Sequence, residues 1–390
     1  MAKEVRVGLI GYNFMGKAHS NAYLKVAKFF DLPATPVMTA VCGRTPDKVK
    51  AFAQKWGWQS VETDALKTIR RKDIDLVDIT TPNNSHYALA MAAINAGKAV
   101  ACEKPLAMNT AQALDLARAA KKAGVPNMVW FNYRRAPAIG LARRIIDEGR
   151  LGRIFHIRAV YLQDWIVDPG FPMVWRLDKK IAGSGAHGDL NAHIIDLARY
   201  LVGEFEEVCG VAQTFIKQRP QLADFGAGLS AKAAKAKGTV TVDDTVAFLA
   251  KLEGGAIGSF EATRFAPGRK NGNRIEINGE KGSLAWSLES MNELQFFSRE
   301  DPPHLQGFKT ILATEGGQHP YVDAWWPAGH IIGYEHTFIN HLADLIRGMY
   351  GQKKLLRPDF TDGLRCQEVL DAVSQSCKSR KWVKVVKNKI

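Results

Sequence analysis

Residues Val5–Gly16, VRVGLIGYNFMG, decide the fold of this chain. An apolar strand, Val5–Ile10, runs into a glycine-containing turn, and a helical stretch follows to about Phe29. The turn approximates the pattern G-x-G-x-x-G, whose glycines allow a tight turn and a close approach of the backbone to a pyrophosphate. Asn13 takes the place of the middle glycine. Because asparagine tolerates left-handed backbone angles, we expect the turn to keep its shape.

The alternation of strand and helix continues through the first third of the chain. Further strands are predicted at Val37–Cys42, Leu76–Thr80, Ala99–Cys102 and Met128–Phe131, separated by helices at Pro46–Trp56, His86–Ala96 and Thr110–Ala123. This spacing predicts an α/β fold with a doubly wound parallel sheet, a Rossmann domain that we place at residues 1–135. The ligand expected at the carboxyl ends of its strands is a nicotinamide dinucleotide.

A different pattern begins after residue 135. A helix at Pro137–Glu148 precedes strands predicted at Ile154–Trp165, Glu207–Gln213, Thr245–Leu252, Ala256–Phe265, Arg274–Asn278 and Ser283–Leu288. Gly254 and Gly255 predict a hairpin between two of these strands. The series predicts a C-terminal α+β domain at residues 136–390 with a large, open, mostly antiparallel sheet.

Two later segments complete this domain. Residues 299–333 are rich in Pro, Gly, His and Trp and show little periodicity, which predicts a long functional loop over the site. Helices are predicted at Tyr334–Tyr350 and Thr361–Ser379, and we expect these last helices to pack back on the first domain.

Composition restricts the class of protein. The 390 residues are 46% hydrophobic and 24% charged, and no apolar run approaches the roughly 20 residues that cross a bilayer. The N-terminus lacks the apolar core of a signal peptide, so we expect a cytoplasmic protein without a membrane partner. Five cysteines without a C-x-x-C pair give no reason to expect disulfides or a metal site. The net charge of +14 suits an anionic ligand, whereas the densest basic runs lack the aromatics of a nucleic-acid platform.

The strand ends carry the candidate cofactor residues. Glu103 and Lys104 follow the apolar strand Ala99–Cys102, which places the lysine where ligands collect in a parallel sheet. Gly43 and Arg44 follow the second strand, where an acid would bind the ribose of NAD and an arginine would accept the 2′-phosphate of NADP, so both cofactors stay open. Residues 81–86, TPNNSH, suit either a turn and helix cap or contact with the ribose or nicotinamide.

Several of these motifs together resemble one protein family. GYNFMGKAHS (11–20), TTPNNSH (80–86), CEKPLA (102–107), FNYRR (131–135) and GSGAHGDLNAHIIDLARYL (183–201) are similar to the glucose-fructose oxidoreductase and inositol dehydrogenase (Gfo/Idh/MocA) family. The resemblance covers most of the chain and is strongest to bacterial sugar and cyclitol dehydrogenases. It implies an open sheet that associates subunits through one face, and hence a homodimer or homotetramer.

Asp189 and His193 are four residues apart on a predicted helix, which places them on one helical face. An acid in a first helical turn and a core histidine are the ordinary alternative. The resemblance assigns both residues, with Lys104, to one catalytic site. His193 has the side chain best suited to act as a base near neutral pH. Lys104 would stabilise the developing alkoxide, and Asp189 would orient the substrate.

The remaining site residues follow from these motifs and from their position at element ends. Aromatic faces flanked by hydrogen-bonding groups suit sugars, although core packing explains any single aromatic as well. The expected cofactor contacts are Gly11, Asn13, Phe14, Met15, Gly43, Arg44, Thr81, Pro82, Asn83, His86, Glu103, Lys104 and Asn132. The expected substrate contacts are Tyr133, Arg134, Gln163, Asp164, Trp165, Trp175, Arg176, Asp189, His193 and Trp325.

The resemblance and these residues predict an NAD(P)-dependent oxidoreductase. Its substrate would be a ring secondary alcohol of a sugar, anhydrosugar, glycoside or inositol, oxidised at a carbon such as C3. One alternative is a glycosidase that retains its NAD and cleaves a glycosidic bond through transient C3 oxidation. A second is a dinucleotide-binding protein without catalytic activity.

Overall fold

The structure is a computed structural model that describes residues 3–225 and 231–390. The chain divides into two compact units. The first comprises Met1–Asn132, Gly333–Gln367 and Asn388–Ile390. The second comprises Tyr133–Ile332 and Glu368–Lys387.

The first unit contains a six-stranded sheet in the order β3-β2-β1-β4-β5-β6. Its strands are β1 Glu4–Ile10, β2 Thr35–Cys42, β3 Ser60–Glu62, β4 Leu76–Ile79, β5 Ala99–Cys102 and β6 Asn127–Val129. All neighbouring strands run parallel. This order is that of the dinucleotide-binding fold, so the predicted Rossmann sheet is confirmed.

Helices connect and cover these strands. They are α1 Phe14–Phe29, α2 Pro46–Trp56, α3 Ala65–Arg70, α4 His86–Asn95, α5 Thr110–Ala123 and, later in the chain, α9 Tyr334–Met349. The strands read as continuous apolar runs because helices bury them on both faces. For example, every residue of β4 and β5 is buried. This burial leaves the strand ends as the places where polar side chains can meet a ligand.

The second unit is built on a nine-stranded sheet in the order β16-β15-β14-β13-β7-β12-β11-β8-β17. Its strands are β7 Ile154–Leu162, β8 Phe205–Gln213, β11 Thr245–Leu252, β12 Ile257–Thr263, β13 Gly272–Gly279, β14 Gly282–Ser287, β15 Glu293–Ser298, β16 Lys309–Leu312 and β17 Val383–Lys384. Neighbours are antiparallel except β7 and β12, which run parallel. The mostly antiparallel sheet was therefore predicted correctly.

Helices and a separate hairpin complete the second unit. The helices are α6 Pro137–Asp147, α7 Lys179–Ala182 and α8 Ala192–Leu201, and the hairpin consists of β9 Gln218–Phe225 and β10 Ala231–Thr239. A further helix, α10 Phe360–Ser379, belongs to both units. Its residues up to Gln367 lie in the first unit and the others lie in the second. The predicted glycine hairpin joins β11 to β12, with φ of 82° at Gly254 and 85° at Gly255.

Part of the predicted loop at residues 299–333 is a strand. β16, Lys309–Leu312, pairs with β15 at the edge of the nine-stranded sheet. β16 escapes sequence analysis because its four positions are mostly exposed and do not alternate. Within the described ranges, no helix combines the length and the apolar character needed to span a bilayer.

Candidate active site

The glycine turn after β1 has the backbone shape that a pyrophosphate needs. Gly11 has a φ of 110°, and a Cβ atom built on it would lie 2.6 Å from Oγ1 of Thr80. That hydroxyl lies 3.1 and 3.0 Å from the carbonyl oxygens of Ile10 and Gly11 and holds the turn. The turn leads into α1, a helix of 16 residues whose first N–H groups and dipole favour an anion. These features fit a dinucleotide.

Asn13 supports this turn differently from the prediction. It is the N-cap of α1 with a φ of −77° and a ψ of −151°, and its side chain makes no capping hydrogen bond. Gly11 makes the left-handed step of this turn, so the turn does not use the tolerance of asparagine for left-handed angles. Asn13 and Phe14 are exposed and Met15 is half-buried, so the first turn of α1 lies at the surface.

The residues after β2 carry a cation and no acid. Arg44 is exposed, and the N–H of Gly43 donates to the carbonyl oxygen of Glu62 on β3. The ring of Tyr12 lies over Gly43, where a Cβ atom would be only 2.1 Å from its Cδ1. The Tyr12 ring and the Arg44 guanidinium are thus the side chains of this strand end that could contact the adenosine half of a dinucleotide.

His86 joins the loops that follow β4 and β5. It is fully buried, with Nε2 2.9 Å from the carbonyl oxygen of Thr81 and Nδ1 2.8 Å from that of Pro105. Burial lowers the pKa of His86, although both carbonyl oxygens oppose this. Thr81, Pro82 and Asn83 are half-buried beside it. A neutral ring has one N–H, so His86 donates to one of these two carbonyl oxygens and packs against the other, while its predicted contact with the cofactor stays a prediction.

Lys104 is half-buried at the end of β5, next to a buried Glu103. Oε2 of Glu103 accepts the N–H of Lys104 at 3.1 Å, and Oε1 lies 3.0 Å from Nε2 of His19 in α1. Asn132 is buried, and its Nδ2 donates to the hydroxyl of Thr337 in α9 at 2.8 Å. The predicted lysine therefore extends from a peptide fixed by side-chain hydrogen bonds.

In the second unit, Asp189 and His193 lie at the junction of two kinds of helix. Residues His187–Asn191 form a π-helical turn that continues directly into α8. Asp243 caps the start of this turn, since its carboxylate accepts the N–H groups of Gly185 at 2.9 Å and His187 at 2.8 Å. A wide π turn at this point is typical of functional sites and sets the directions of the two predicted side chains.

The π-helical turn is also stabilised by a histidine that sequence analysis did not single out. His187 is buried, and its Nε2 lies 2.8 Å from the carbonyl oxygen of Leu370 in α10. Burial lowers the pKa of His187, so the neutral ring donates from Nε2 and its Nδ1 accepts from the amide of Asn191 at 3.0 Å. His187 thus stabilises the segment that carries Asp189.

Two tyrosine rings pack against His193. The ring centroids of Tyr133 and Tyr161 lie 4.7 and 5.7 Å from that of the histidine, which is 8% exposed. The two tyrosine hydroxyls are 2.8 Å apart. The predicted base therefore lies in a small aromatic enclosure that restricts its ring orientation.

A chain of hydrogen bonds continues from these tyrosines along the end of the sheet. The hydroxyl of Tyr161 donates to Oδ1 of Asn271 at 2.8 Å, and the same oxygen accepts Nε2 of Gln163 at 2.9 Å. Oε1 of Gln163 in turn accepts the indole N–H of Trp165 at 2.9 Å. Tyr133, Gln163 and Trp165, three of the predicted substrate residues, are therefore brought together.

Arg264 connects this chain of hydrogen bonds to Asp189. Its guanidinium lies 5.3 Å from the ring centroid of Trp165, and its Nη2 donates to Oδ2 of Asp189 at 2.8 Å. Arg264 is 1% exposed, whereas the side chain of Asp189 is 28% exposed. A carboxylate, an imidazole, an indole and several amide and hydroxyl groups are thus connected within one unit, an arrangement that suits a polyhydroxylated ring.

The other predicted substrate residues lie in different surroundings. Arg134 is buried and donates twice to the carboxylate of Asp196, at 2.8 and 2.5 Å. This ion pair engages its guanidinium, and the predicted contact of Arg134 with substrate stays a prediction. Asp164 pairs with Lys270 at 2.8 Å, and Trp325 is buried after a short 3₁₀ turn.

Trp175 and Arg176 lie near the chain of hydrogen bonds described above. The Arg176 guanidinium lies 4.4 Å from the ring centroid of Trp175. Nη1 of Arg264 lies 3.5 Å from the carbonyl oxygen of Arg176, a distance that makes a weak contact at most. The backbone at Arg176 is therefore adjacent to the ion pair between Arg264 and Asp189.

Sequence analysis missed Tyr161, Asn271 and Arg264. Arg264 is 75 positions from Asp189, so no local spacing relates them. Arg264 immediately follows the last residue of β12, and the acid nearest to it in the sequence is Glu261, so no sequence signal pointed to Asp189. In the part of the chain that the structure describes, no group of three or more His, Cys, Asp or Glu residues could hold a metal ion.

Comparisons with protein families give two matches that together span both units. Residues 5–131 match the family described as "Oxidoreductase family, NAD-binding Rossmann fold". Residues 139–285 match the family described as "GFO/IDH/MocA C-terminal domain". The matched ranges contain Gly11, Lys104, Asp189, His193 and Arg264, the residues on which the candidate site depends.

Among curated proteins, the chain is 41% identical over 388 residues to the levoglucosan dehydrogenase of Pseudarthrobacter phenanthrenivorans, covering 98% of each chain. It is 25% identical to the inositol 2-dehydrogenase of Rhizobium meliloti, covering 98% of this chain and 99% of the relative.

Solved structures give the same likeness. A structure of levoglucosan dehydrogenase in complex with NADH and levoglucosan has a TM-score of 0.92 at 40% identity, covering 99% of this chain and 100% of that one. An oxidoreductase domain protein from Kribbella flavida has a TM-score of 0.92 at 48% identity, covering 98% and 100%.

Proposed function

The chain belongs to the GFO/IDH/MocA oxidoreductase family, and we propose that it is an NAD-dependent dehydrogenase that oxidises a ring secondary hydroxyl of an anhydrosugar such as levoglucosan. The connected set His193, Tyr133, Tyr161, Asn271, Gln163, Trp165, Arg264 and Asp189 carries the proposal. Such a set offers donors and acceptors to several hydroxyls and an aromatic face to the ring.

The proposed chemistry divides between three residues. His193 removes the hydroxyl proton as general base, because a neutral imidazole is available near neutral pH. Lys104 stabilises the negative charge that develops on the same oxygen. Asp189 accepts a hydrogen bond from a neighbouring hydroxyl and so fixes the ring. NAD supplies the acceptor for the hydride that leaves the carbon.

The residues that would hold NAD follow from the geometry of the first unit. The Gly11 turn and the start of α1 would bind the pyrophosphate, because the first N–H groups of a helix can bind an anion and Gly11 has no side chain to block a close approach of the backbone. Tyr12 and Arg44 would contact the adenosine half. Thr81, Pro82 and Asn83 would line the path from there to Lys104.

The substrate class follows from the polar groups of the second unit. Asp189, Gln163 and Asn271 are suited to hydroxyl groups, and Trp165 offers a flat apolar surface. The relative named levoglucosan dehydrogenase supports an anhydrosugar. We propose C3 as the oxidised carbon, since neighbouring hydroxyls on both sides of it give Asp189 and Gln163 a partner each.

A substrate panel tests the reaction. Levoglucosan, myo-inositol and an alkyl glucoside are each assayed with NAD, following the absorbance of reduced nicotinamide, and the keto derivative formed is identified by NMR. We expect net NADH formation to be fastest with levoglucosan. Release of free sugar from the glucoside without net NADH would instead show the glycosidase alternative, and dinucleotide binding without turnover would show a non-catalytic protein.

Variants test the assignment of residues. His193→Ala and Lys104→Ala are each expected to lower kcat at least 100-fold with the best substrate of the panel. Lys270→Ala, at an exposed lysine of a surface pair, is the matched control and should stay within twofold. Near-normal turnover of either active-site variant would refute the assignment.

We also propose that the protein forms a homodimer through the outer face of the nine-stranded sheet. This face exposes Val211, Leu249 and Ile257, which are 66, 50 and 44% exposed. The same face has a cleft of about 350 Å³ lined by charges of both signs, including Arg158 and Glu276, and such a surface can pair with a second copy of itself. Light scattering on Leu249→Glu should report a monomer, and an unchanged mass would contradict the proposed face.

A further inference from the structure

A buried hydrogen-bonded network connects α1 to the peptide that carries Lys104. The side chain of His19 is completely buried in α1, with Nδ1 2.8 Å from Oδ2 of Asp78 and Nε2 3.0 Å from Oε1 of Glu103. The other oxygen of Glu103 accepts the N–H of Lys104 at 3.1 Å. Two successive hydrogen bonds therefore separate the imidazole of His19 from the backbone of Lys104.

The partners of His19 determine its charge. Both ring nitrogens face carboxylate oxygens, which accept hydrogen bonds and donate none, so both contacts are favourable only when the ring carries two protons. Burial by itself would lower the pKa of His19, but Asp78 and Glu103 outweigh it and raise this pKa to about 9. At neutral pH the network therefore contains an imidazolium between two carboxylates.

The two carboxylates are held in different ways. Asp78 accepts a hydrogen bond from the hydroxyl of Tyr23 at 2.9 Å and another from the indole N–H of Trp130 at 2.9 Å. Among the described residues, the carboxylate of Glu103 is hydrogen-bonded to His19 and to the N–H of Lys104. Loss of the imidazolium would thus leave Asp78 well anchored and would release Glu103, whose side chain is 7% exposed.

The peptide is also fixed on the far side of Lys104. The carbonyl oxygen of Pro105 lies 2.8 Å from Nδ1 of His86, a buried ring whose Nε2 lies 2.9 Å from the carbonyl oxygen of Thr81 in the loop after β4. Lys104 therefore lies between two anchored backbone groups. Of these two anchors, only the one through Glu103 reaches α1, the helix that follows the glycine turn.

We propose that His19 is a positioning residue for Lys104. The buried imidazolium fixes the carboxylate of Glu103, and this carboxylate fixes the peptide N–H from which the lysine side chain extends. The inference rests on the proposed function, in which Lys104 acts on the substrate oxygen. It also makes the helix at the glycine turn and the lysine parts of one rigid assembly.

His19→Gln tests the inference, with Tyr23→Phe as the matched control in the same network. Tyr23→Phe removes a hydrogen bond to Asp78 and leaves the link from His19 to Lys104 intact. We expect His19→Gln to lower kcat at least tenfold while the Kd for NADH, measured by fluorescence titration, changes less than threefold. Tyr23→Phe should stay within twofold on both measures. Equal kcat values for the two variants, per mole of folded enzyme, would overturn the proposal.

A double-mutant cycle separates positioning from a general loss of structure. In a Lys104→Ala background, His19→Gln should cost less than twofold, because the group it positions is gone. The same fold-loss in both backgrounds would also overturn the proposal. If His19→Gln does not fold, Glu103→Gln replaces it in every comparison, because this substitution breaks the same link between His19 and Lys104. Full turnover of Lys104→Ala alone would instead refute the role proposed for Lys104, on which this inference rests.

Discussion

Arg264 and Asp189 form an ion pair in which Nη2 of the guanidinium lies 2.8 Å from Oδ2 of the carboxylate. The cation is almost completely buried and the carboxylate is partly exposed, so the arginine lies behind the acid and holds it toward the surface of the unit. The guanidinium also stacks near Trp165. Arg264 therefore orients two of the proposed substrate contacts at once.

Replacing Arg264 should reduce sugar oxidation selectively. In Arg264→Lys the charge remains, but the planar fork and the stacking on Trp165 are lost. We expect kcat/KM for the sugar to fall at least tenfold and the KM for NAD to change less than threefold in steady-state kinetics. Arg269→Lys, at an exposed pair with Glu289, is the control and should stay within twofold. Similar values for the two variants would contradict a role for Arg264.

The hydroxyl of Tyr161 should matter more than its ring. Tyr161→Phe keeps the packing on His193 but removes the hydrogen bonds to Tyr133 and Asn271. Each hydrogen bond contributes about 0.5–1.5 kcal/mol, so we expect the loss of both to lower kcat/KM for the sugar roughly tenfold. Steady-state kinetics measure this fall, and an unchanged kcat/KM would show that the hydrogen-bonded chain does not bind substrate.

The stability of the first unit should depend on pH through His19. Its pKa is about 9 in the folded protein against an ordinary 6.5, so the protonated ring stabilises the folded state. This contribution is complete below pH 6.5, falls as pH rises, and is lost above about pH 9. By the linkage between pKa and free energy it amounts to about 3 kcal/mol.

Urea unfolding of the wild type and of His19→Gln at pH 6 and pH 10 measures this dependence. The difference in unfolding free energy between the two proteins should be largest at pH 6 and should shrink at pH 10, where the ring is neutral in both states. Tyr23 stays protonated throughout, because burial and then Asp78 raise its pKa well above the ordinary value. A difference that does not change with pH would show that His19 is neutral in the folded protein.

Arg44 should influence NADP more than NAD. Its exposed guanidinium follows β2, where it can pair with a 2′-phosphate, whereas NAD lacks that group. We expect turnover with NAD to exceed that with NADP, and Arg44→Ala to lower kcat/KM for NADP at least tenfold but that for NAD no more than threefold, because NAD loses the contact with adenosine alone and NADP also loses the contact with its 2′-phosphate. Lys48→Ala, an exposed lysine in α2, serves as the control. Equal effects on both cofactors would exclude contact with the 2′-phosphate.

Elements with an apolar run could be predicted from the sequence, and short elements without one could not. β1, β2, β4 and β5 were found because buried parallel strands are continuous apolar runs. β3, Ser60–Glu62, has three half-buried residues and gives no periodic signal. The π-helical turn was missed for a related reason, because His187–Asn191 has the sequence of an ordinary helix start and its width depends on Asp243 and Leu370, which are far away in the chain.

The candidate site shows the same limit. Lys104, Asp189 and His193 belong to motifs that can be recognised without coordinates. The places of Arg264 and Asn271 in the site depend on how β7, β12 and β13 align. The register of strands that are distant in sequence cannot be predicted from a local pattern. Arg134 was expected to contact substrate because it follows a strand, and its buried partner Asp196 lies 62 positions later.

The contact between Tyr12 and Gly43 bears on how this family can diverge. Because a Cβ atom at position 43 would overlap the Tyr12 ring, no homologue can acquire a side chain there while keeping a tyrosine at position 12 in this orientation. The two sites should therefore covary in evolution, and a relative with an acid at the place of Gly43 should have a small residue at that of Tyr12. A change of coenzyme preference at this strand end would then require two substitutions in concert.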